Sequence, residues 1–143
     1  MAAGRYQKAI EIYSDEHRKN PQDRPLTREY AKSLDSIKSA GDRRFEKGDL
    51  AAACRMYHVL HINYAKFRGM ERTLSFDHQD LNEKLTYCKK TLSKQGFEEY
   101  RKGNLDQAII FWQGLLAIDP NNKAIRDAVR TARQQQKNLQ DDH

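Results

Sequence analysis

One short pattern occurs three times along the chain, and it constrains the fold more than any other feature. Gly48-Asp49-Leu50-Ala51-Ala52-Ala53 aligns with Gly103-Asn104-Leu105-Asp106-Gln107-Ala108, and Gly4-Arg5-Tyr6-Gln7-Lys8-Ala9 has the same frame. An aromatic residue follows each copy: Tyr13, Tyr57 and Trp112. Upstream of the two later copies stands a second glycine, Gly41 or Gly96, followed four positions on by Phe45 or Tyr100. A recurring unit of this kind cannot bury its apolar face alone, so neighbouring copies must stack. Gly48 and Gly103 are expected to end one helix and to take the positive φ of a tight turn. Asp49 and Asn104 are expected to cap the helix that follows. Ala53 and Ala108 let two helices approach closely, and Tyr57 and Trp112 fill the space one turn later. Gly41 and Gly96, inside helical patterns, each cost ~1 kcal/mol relative to alanine. Such a cost points to a place where a neighbouring helix needs room.

Composition agrees with stacked helices. The chain has 143 residues, 38% hydrophobic and 32% charged, which suits an elongated helical stack with much exposed surface. Three prolines and seven glycines leave room for long helices. No apolar run approaches the ~18 residues that span a bilayer, and the N-terminus lacks a signal pattern. The net charge of +6 is compatible with an acidic partner. Charges of both signs alternate along the chain, however, and read as solvated helix surface. Cys54 and Cys88 are too few for a disulfide framework and too far apart in sequence for a zinc ribbon.

The segment from Gly96 to Asn122 resembles a tetratricopeptide repeat almost throughout. Gly96, Tyr100, Gly103, Ala108, Trp112 and the closing Asp119-Pro120-Asn121-Asn122 fall at that family's spacing. Arg5–Pro21 resembles the second half of such a repeat, and Gly41–Tyr64 is a weaker copy with Ala65 where the closing proline would be. The resemblance implies an all-α, right-handed α-solenoid of helix pairs, about six helices in one domain over 1–143. Its parts are a half repeat at 5–21, a second repeat at 25–66, an apolar linker at 67–76, a third repeat at 77–120 and a capping helix at 122–140. The repeat-packing residues are then Gly41, Phe45, Ala53, Tyr57, Gly96, Tyr100, Ala108, Trp112 and Pro120.

The spacing departs from the family's ~34 residues. Gly48 and Gly103 stand 55 positions apart, and Gly4 and Gly48 stand 44 apart. The extra residues precede the first helix of each later pair. Apolar Leu26, Tyr30 and Ile37 upstream of Gly41 align with Leu81, Leu85 and Leu92 upstream of Gly96. The first helices are therefore expected to be lengthened by about three turns. Pro25 suits the first turn of one, with Asp23 as its cap, and Asp77 or Asp80 could cap the other. Tyr64–Phe76, with Phe67, Met70 and Leu74, either covers those added turns or forms an apolar docking surface. Gly4 is expected to lie where a first helix has already ended. Half a repeat at residue 5 then lacks a partner, so the expectation is a fragment of a longer chain, with Met1 not its native start. The last helix should bury Ile125, Ala128, Val129 and Ala132, with Leu139 at the edge. It should display Arg126, Arg130, Arg133 and Lys137 as a basic stripe, either a solvated face or a contact for an acidic partner.

No sequence motif suggests an enzyme or a cofactor. Cys54, His58 and His61 would share one helix face and could together approach a zinc ion. Cys54, though, takes the interior slot of Ile10 and Ile109, and no metal site is expected. No phosphate loop or nucleophile motif occurs. The aromatics sit at repeat positions, so nucleic-acid binding would rest on net charge alone. What the resemblance implies is a scaffold or adaptor that holds a peptide or helix of a partner protein along the concave face. Lys38, Asp42 and Glu46 from one copy and Ser93, Phe97 and Arg101 from the next are the contact candidates, with Phe97 and Arg101 foremost. Phe45 and Tyr100 could face the same groove but fit the core better. Some family members grip C-terminal carboxylates with a lysine–asparagine clamp. The matching slots here hold Lys38, Asp42, Ser93 and Phe97, which argues against that ligand. A second expectation is a self-assembling structural piece, a homo-oligomer formed through the open half repeat or through Tyr64–Phe76. The tryptophan before the closing leucines is similar to that of bacterial envelope repeat proteins, so a periplasmic or envelope setting stands beside a cytoplasmic one.

Overall fold

A computed structural model describes residues 2–141, with side chains from Gly4 onward; Met1 lies outside them. Among the described residues the chain is all-helical, with six α-helices and no strand. They are α1 (Ala2–Lys19), α2 (Arg24–Glu46), α3 (Leu50–Ile62), α4 (His78–Arg101), α5 (Leu105–Ile118) and α6 (Lys123–Asp141). A 3₁₀ turn occupies Tyr64–Phe67. The contacts divide the chain into two units, residues 1–85 and 86–143, with the boundary inside α4.

In the first unit α2 folds back on α3 across only Lys47, Gly48 and Asp49, and α1 packs against both. The start of α2 follows from local chemistry. The Asp23 carboxylate accepts the Leu26 backbone N–H at 3.0 Å, and a proline occupies the first turn, where its missing N–H costs nothing. The helix ends at Gly48, whose φ of +82° an L side chain rarely adopts. Tyr30, Leu34, Ile37 and Gly41 form a buried stripe at helical spacing on α2, Ala53, Tyr57 and Leu60 are buried on α3, and Gly41 lies against Tyr57. Tyr13 of α1 stacks on Tyr30 at 5.7 Å, and Ile10 is buried.

Two local expectations need correcting. Gly4 lies inside α1 without a positive φ, so no turn precedes Arg5. The low cost of one glycine near a helix start is easily outweighed by neighbours that favour helix. Neither Asp49 nor Asn104 caps its helix. Asp49 instead pairs with the Arg44 guanidinium at 3.0 Å, and the Asn104 amide donates to the Glu99 carboxylate at 2.7 Å. In both turns a charged partner on the preceding helix holds the capping side chain. Both cysteines are disulfide-bonded and fully buried.

The segment after α3 is turned inward. Phe67, Met70 and Phe76 are buried, and Phe67 meets Tyr64 and Phe76 edge-on. Ser75 fixes it to α2, donating from both its backbone N–H and its hydroxyl to the Asp35 carboxylate at 2.9 and 2.8 Å. Asp77 then caps α4 by accepting the Asp80 N–H at 2.8 Å.

In the second unit the later turns of α4 meet α5 through rings, Phe97 and Tyr100 both lying against Trp112. Gly103, at φ +84°, makes the turn between them. The last helix, α6, packs on α5 through Ile125, Val129 and Ala132, with Ala108, Trp112, Leu115 and Ile118 buried beneath. The Asn122 side chain caps it, accepting the Ile125 N–H at 3.2 Å.

Candidate functional site

Lys38, Asp42 and Glu46 follow one another at four-residue intervals and so share a face of α2. The structure joins the first two. The Lys38 ammonium donates to both Asp42 oxygens, at 3.1 and 2.9 Å, and the Tyr57 hydroxyl donates to the same carboxylate at 2.6 Å. Only 12% of the Lys38 side chain is exposed, and its ammonium lies 5.8 Å from the Tyr57 ring. The Lys84 ammonium sits 4.3 Å over the Phe45 ring, beside this cluster. Burial alone would raise the Asp42 pKa. The hydrogen bonds from Tyr57 and Lys38, with the charges of Lys38 and Lys84, outweigh it and hold the carboxyl below its ordinary value. Tyr57 is pushed the other way, first by burial, then by its bond to Asp42 and by the charges of Asp42 and Glu46. Lys38 and Asp42 are thus committed to each other and to Tyr57. They fasten α2 to α3, and of this trio Glu46 alone is freely exposed.

On α4, Ser93, Phe97 and Arg101 also fall at four-residue intervals. Ser93 is half-buried and Arg101 exposed. Phe97 is 37% exposed while one edge of its ring contacts Trp112 at 5.0 Å. It is therefore both anchored and presented, the condition under which an aromatic contributes most to binding. Phe45 and Tyr100 are half-buried and pack on Tyr57 and Trp112. No protein-family model, curated protein or solved structure matches this chain.

Two of the three residues of the zinc-spaced face have other occupations. Cys54 is disulfide-bonded, and His61 stacks on His78 at 5.3 Å. Among the described residues no group of three or more His, Cys, Asp or Glu is placed to hold a metal ion. No helix among them is long and apolar enough to cross a membrane.

One structural residue escaped the sequence reading. Asn63, 3% exposed, is the buried polar side chain that ties α1 to the end of α3. Its amide donates to the Val59 carbonyl at 2.7 Å and to Gln7 Oε1 at 2.5 Å, and its oxygen accepts from Gln7 Nε2 at 3.1 Å. A sequence offers no sign of this, because Gln7 and Asn63 lie 56 positions apart and Asn63 stands in no motif.

Proposed function

We propose that this chain is a protein–protein interaction module of tetratricopeptide type, a scaffold or adaptor that holds a peptide or helix of a partner. Its pairs of helices would stack in a right-handed superhelix, and the partner would lie on the face formed by the first helix of each pair. One observation carries the reading. The same helix-to-helix contact is built twice, with Gly41 against Tyr57 and Gly96 against Trp112, at matching places in the recurring sequence. Repetition of one packing unit is the basis of a stacked repeat. The contact residues are Phe97, Arg101 and Ser93 on α4, with Glu46 a further contact on α2. Lys38 and Asp42 serve chiefly to hold α2 against α3.

Panning a random-peptide library against the full chain tests this. Enriched peptides should bind the wild-type chain and lose at least about fivefold in affinity to Phe97→Ala or Arg101→Glu. Failure to enrich any peptide, or enrichment indifferent to both substitutions, removes the reading. Ile12 on α1, more than half exposed, favours a second reading, self-assembly through the first helix. Sedimentation velocity showing a monomer at every concentration excludes it, and so does an Ile12→Lys variant that associates like the wild type.

A further inference from the structure

A groove of about 500 Å³ runs between α5 and α6. Its floor is apolar, made by half-buried Leu116 and buried Val129. Four exposed cations line it, Arg126, Arg130, Arg133 and Lys137, and no acidic side chain does. Arg130 pairs with Asp127 at 3.4 Å, and the charge of Arg126 acts on the same carboxylate. Arg133 and Lys137 make no ion pair among the described residues. We infer that this groove is a docking site for an acidic amphipathic helix of a partner protein, a surface separate from Phe97 and Arg101.

The geometry selects that occupant. The cations recur at intervals of four, three and four residues, a rise of about 16 Å along α6. A partner helix with carboxylates at the same intervals meets them charge for charge, and its apolar stripe settles on half-buried Leu116. Lining with one sign of charge raises the rate of encounter with the opposite sign and rejects partners of like charge. A membrane surface fits less well. An interfacial helix must offer its apolar face to lipid, whereas α6 spends Ile125, Val129 and Ala132 on α5. Nucleic acid would use the arginines but gains nothing from the apolar floor, and no aromatic ring lines the groove for a base to stack on.

Fluorescence anisotropy with the full chain tests the inference. The probe is a labelled, end-capped amphipathic peptide of about 18 residues with a leucine stripe flanked by glutamates. Its control has every glutamate replaced by glutamine. The glutamate peptide should bind at least about tenfold more tightly than the control, and the difference should shrink with added salt. Arg133→Glu with Lys137→Glu should lower affinity at least about tenfold, and Leu116→Ser should lower it for both peptides. Arg28→Glu with Lys32→Glu, an equal charge change on exposed positions of α2, should leave binding intact. Equal binding of the two peptides, or equal loss in the α2 variant, overturns the inference. So does tighter binding of phosphatidylserine vesicles or of duplex DNA than of the glutamate peptide. Because the probe reads α5 and α6 alone, a negative result here leaves the Phe97 and Arg101 reading to its own experiment.

Discussion

Trp112 occupies the space that any side chain at position 96 would need. A β-carbon on Gly96 would fall inside the indole, 2.7 Å from Cε2 and closer still to Nε1 and Cδ1. The ring cannot easily yield, because Phe97 and Tyr100 lie against it with centroids at 5.0 and 5.8 Å. Position 41 repeats the arrangement more loosely, its β-carbon falling 2.9 Å from Tyr57 Cε1. The ~1 kcal/mol that each glycine costs its helix is set against the burial of a whole aromatic ring.

Gly96→Ala should therefore destabilise the chain by about 1–3 kcal/mol despite the better helix propensity of alanine. Gly41→Ala should cost less. Trp112→Phe leaves a smaller ring and opens room beside Gly96. The double variant Gly96→Ala with Trp112→Phe should accordingly be more stable than the sum of the single effects predicts. Urea midpoints of the four proteins measure the coupling. Strict additivity would mean that the indole does not set the requirement for glycine.

This contact shows why much of the fold was legible. Glycine, alanine and aromatic positions recur because each is dictated by a local steric need, and local needs leave marks in a sequence. The turn glycines Gly48 and Gly103, the Asp23 cap and the inward stripes of α2 and α5 belong to the same class. Asp49 and Asn104 misled because a capping residue type says nothing of competition from Arg44 and Glu99 across the turn. The candidate site was less legible. Lys38 and Asp42 stand out as contact candidates, but their ion pair and its hydrogen bond from the Tyr57 hydroxyl are not written in the sequence. Asn63 depends on a contact with Gln7 that is remote in sequence, which a single chain does not record.

Asn63 should be worth more than its lack of a motif suggests. Asn63→Ala strands the Val59 carbonyl and the Gln7 amide where water has little access. The expected cost is about 1–3 kcal/mol. Gln7→Ala should cost less, because Asn63 keeps its bond to Val59. A double-mutant cycle by thermal unfolding should give a clear coupling between the two. Its absence would show that α1 is held by its apolar contacts alone.

Asp42 and Tyr57 give opposite pH signatures. The folded state holds the Asp42 carboxyl below its ordinary 3.8, so the stability it contributes is present above that pH and is lost as pH falls through the depressed value. With 40% of the side chain exposed, water screening keeps this contribution small. Asp42→Asn should be less stable than the wild type at neutral pH, and the two should converge in acid. Tyr57 is raised above its ordinary 10.0, so its contribution is full below pH 10 and declines above it. Tyr57→Phe should lack that alkaline decline. Urea midpoints across the pH range read both effects, and parallel curves for wild type and variants would remove the network from the account of stability.

The last expectation concerns the segment between α3 and α4. Phe67, Met70 and Phe76 are buried, but the segment's end is tied to α2 by the two bonds from Ser75 to Asp35, which lie at the surface. Exposed bonds of this kind contribute about 0.5–1.5 kcal/mol, and they govern local opening more than global unfolding. Asp35→Ala should therefore speed hydrogen exchange at Ser75 and its neighbours several-fold while shifting the urea midpoint little. Phe76→Ala removes a buried ring and should cost about 3–5 kcal/mol, lowering the midpoint itself. If Asp35→Ala instead lowers global stability as much as Phe76→Ala does, the segment is fastened by its polar tether and the buried rings are secondary.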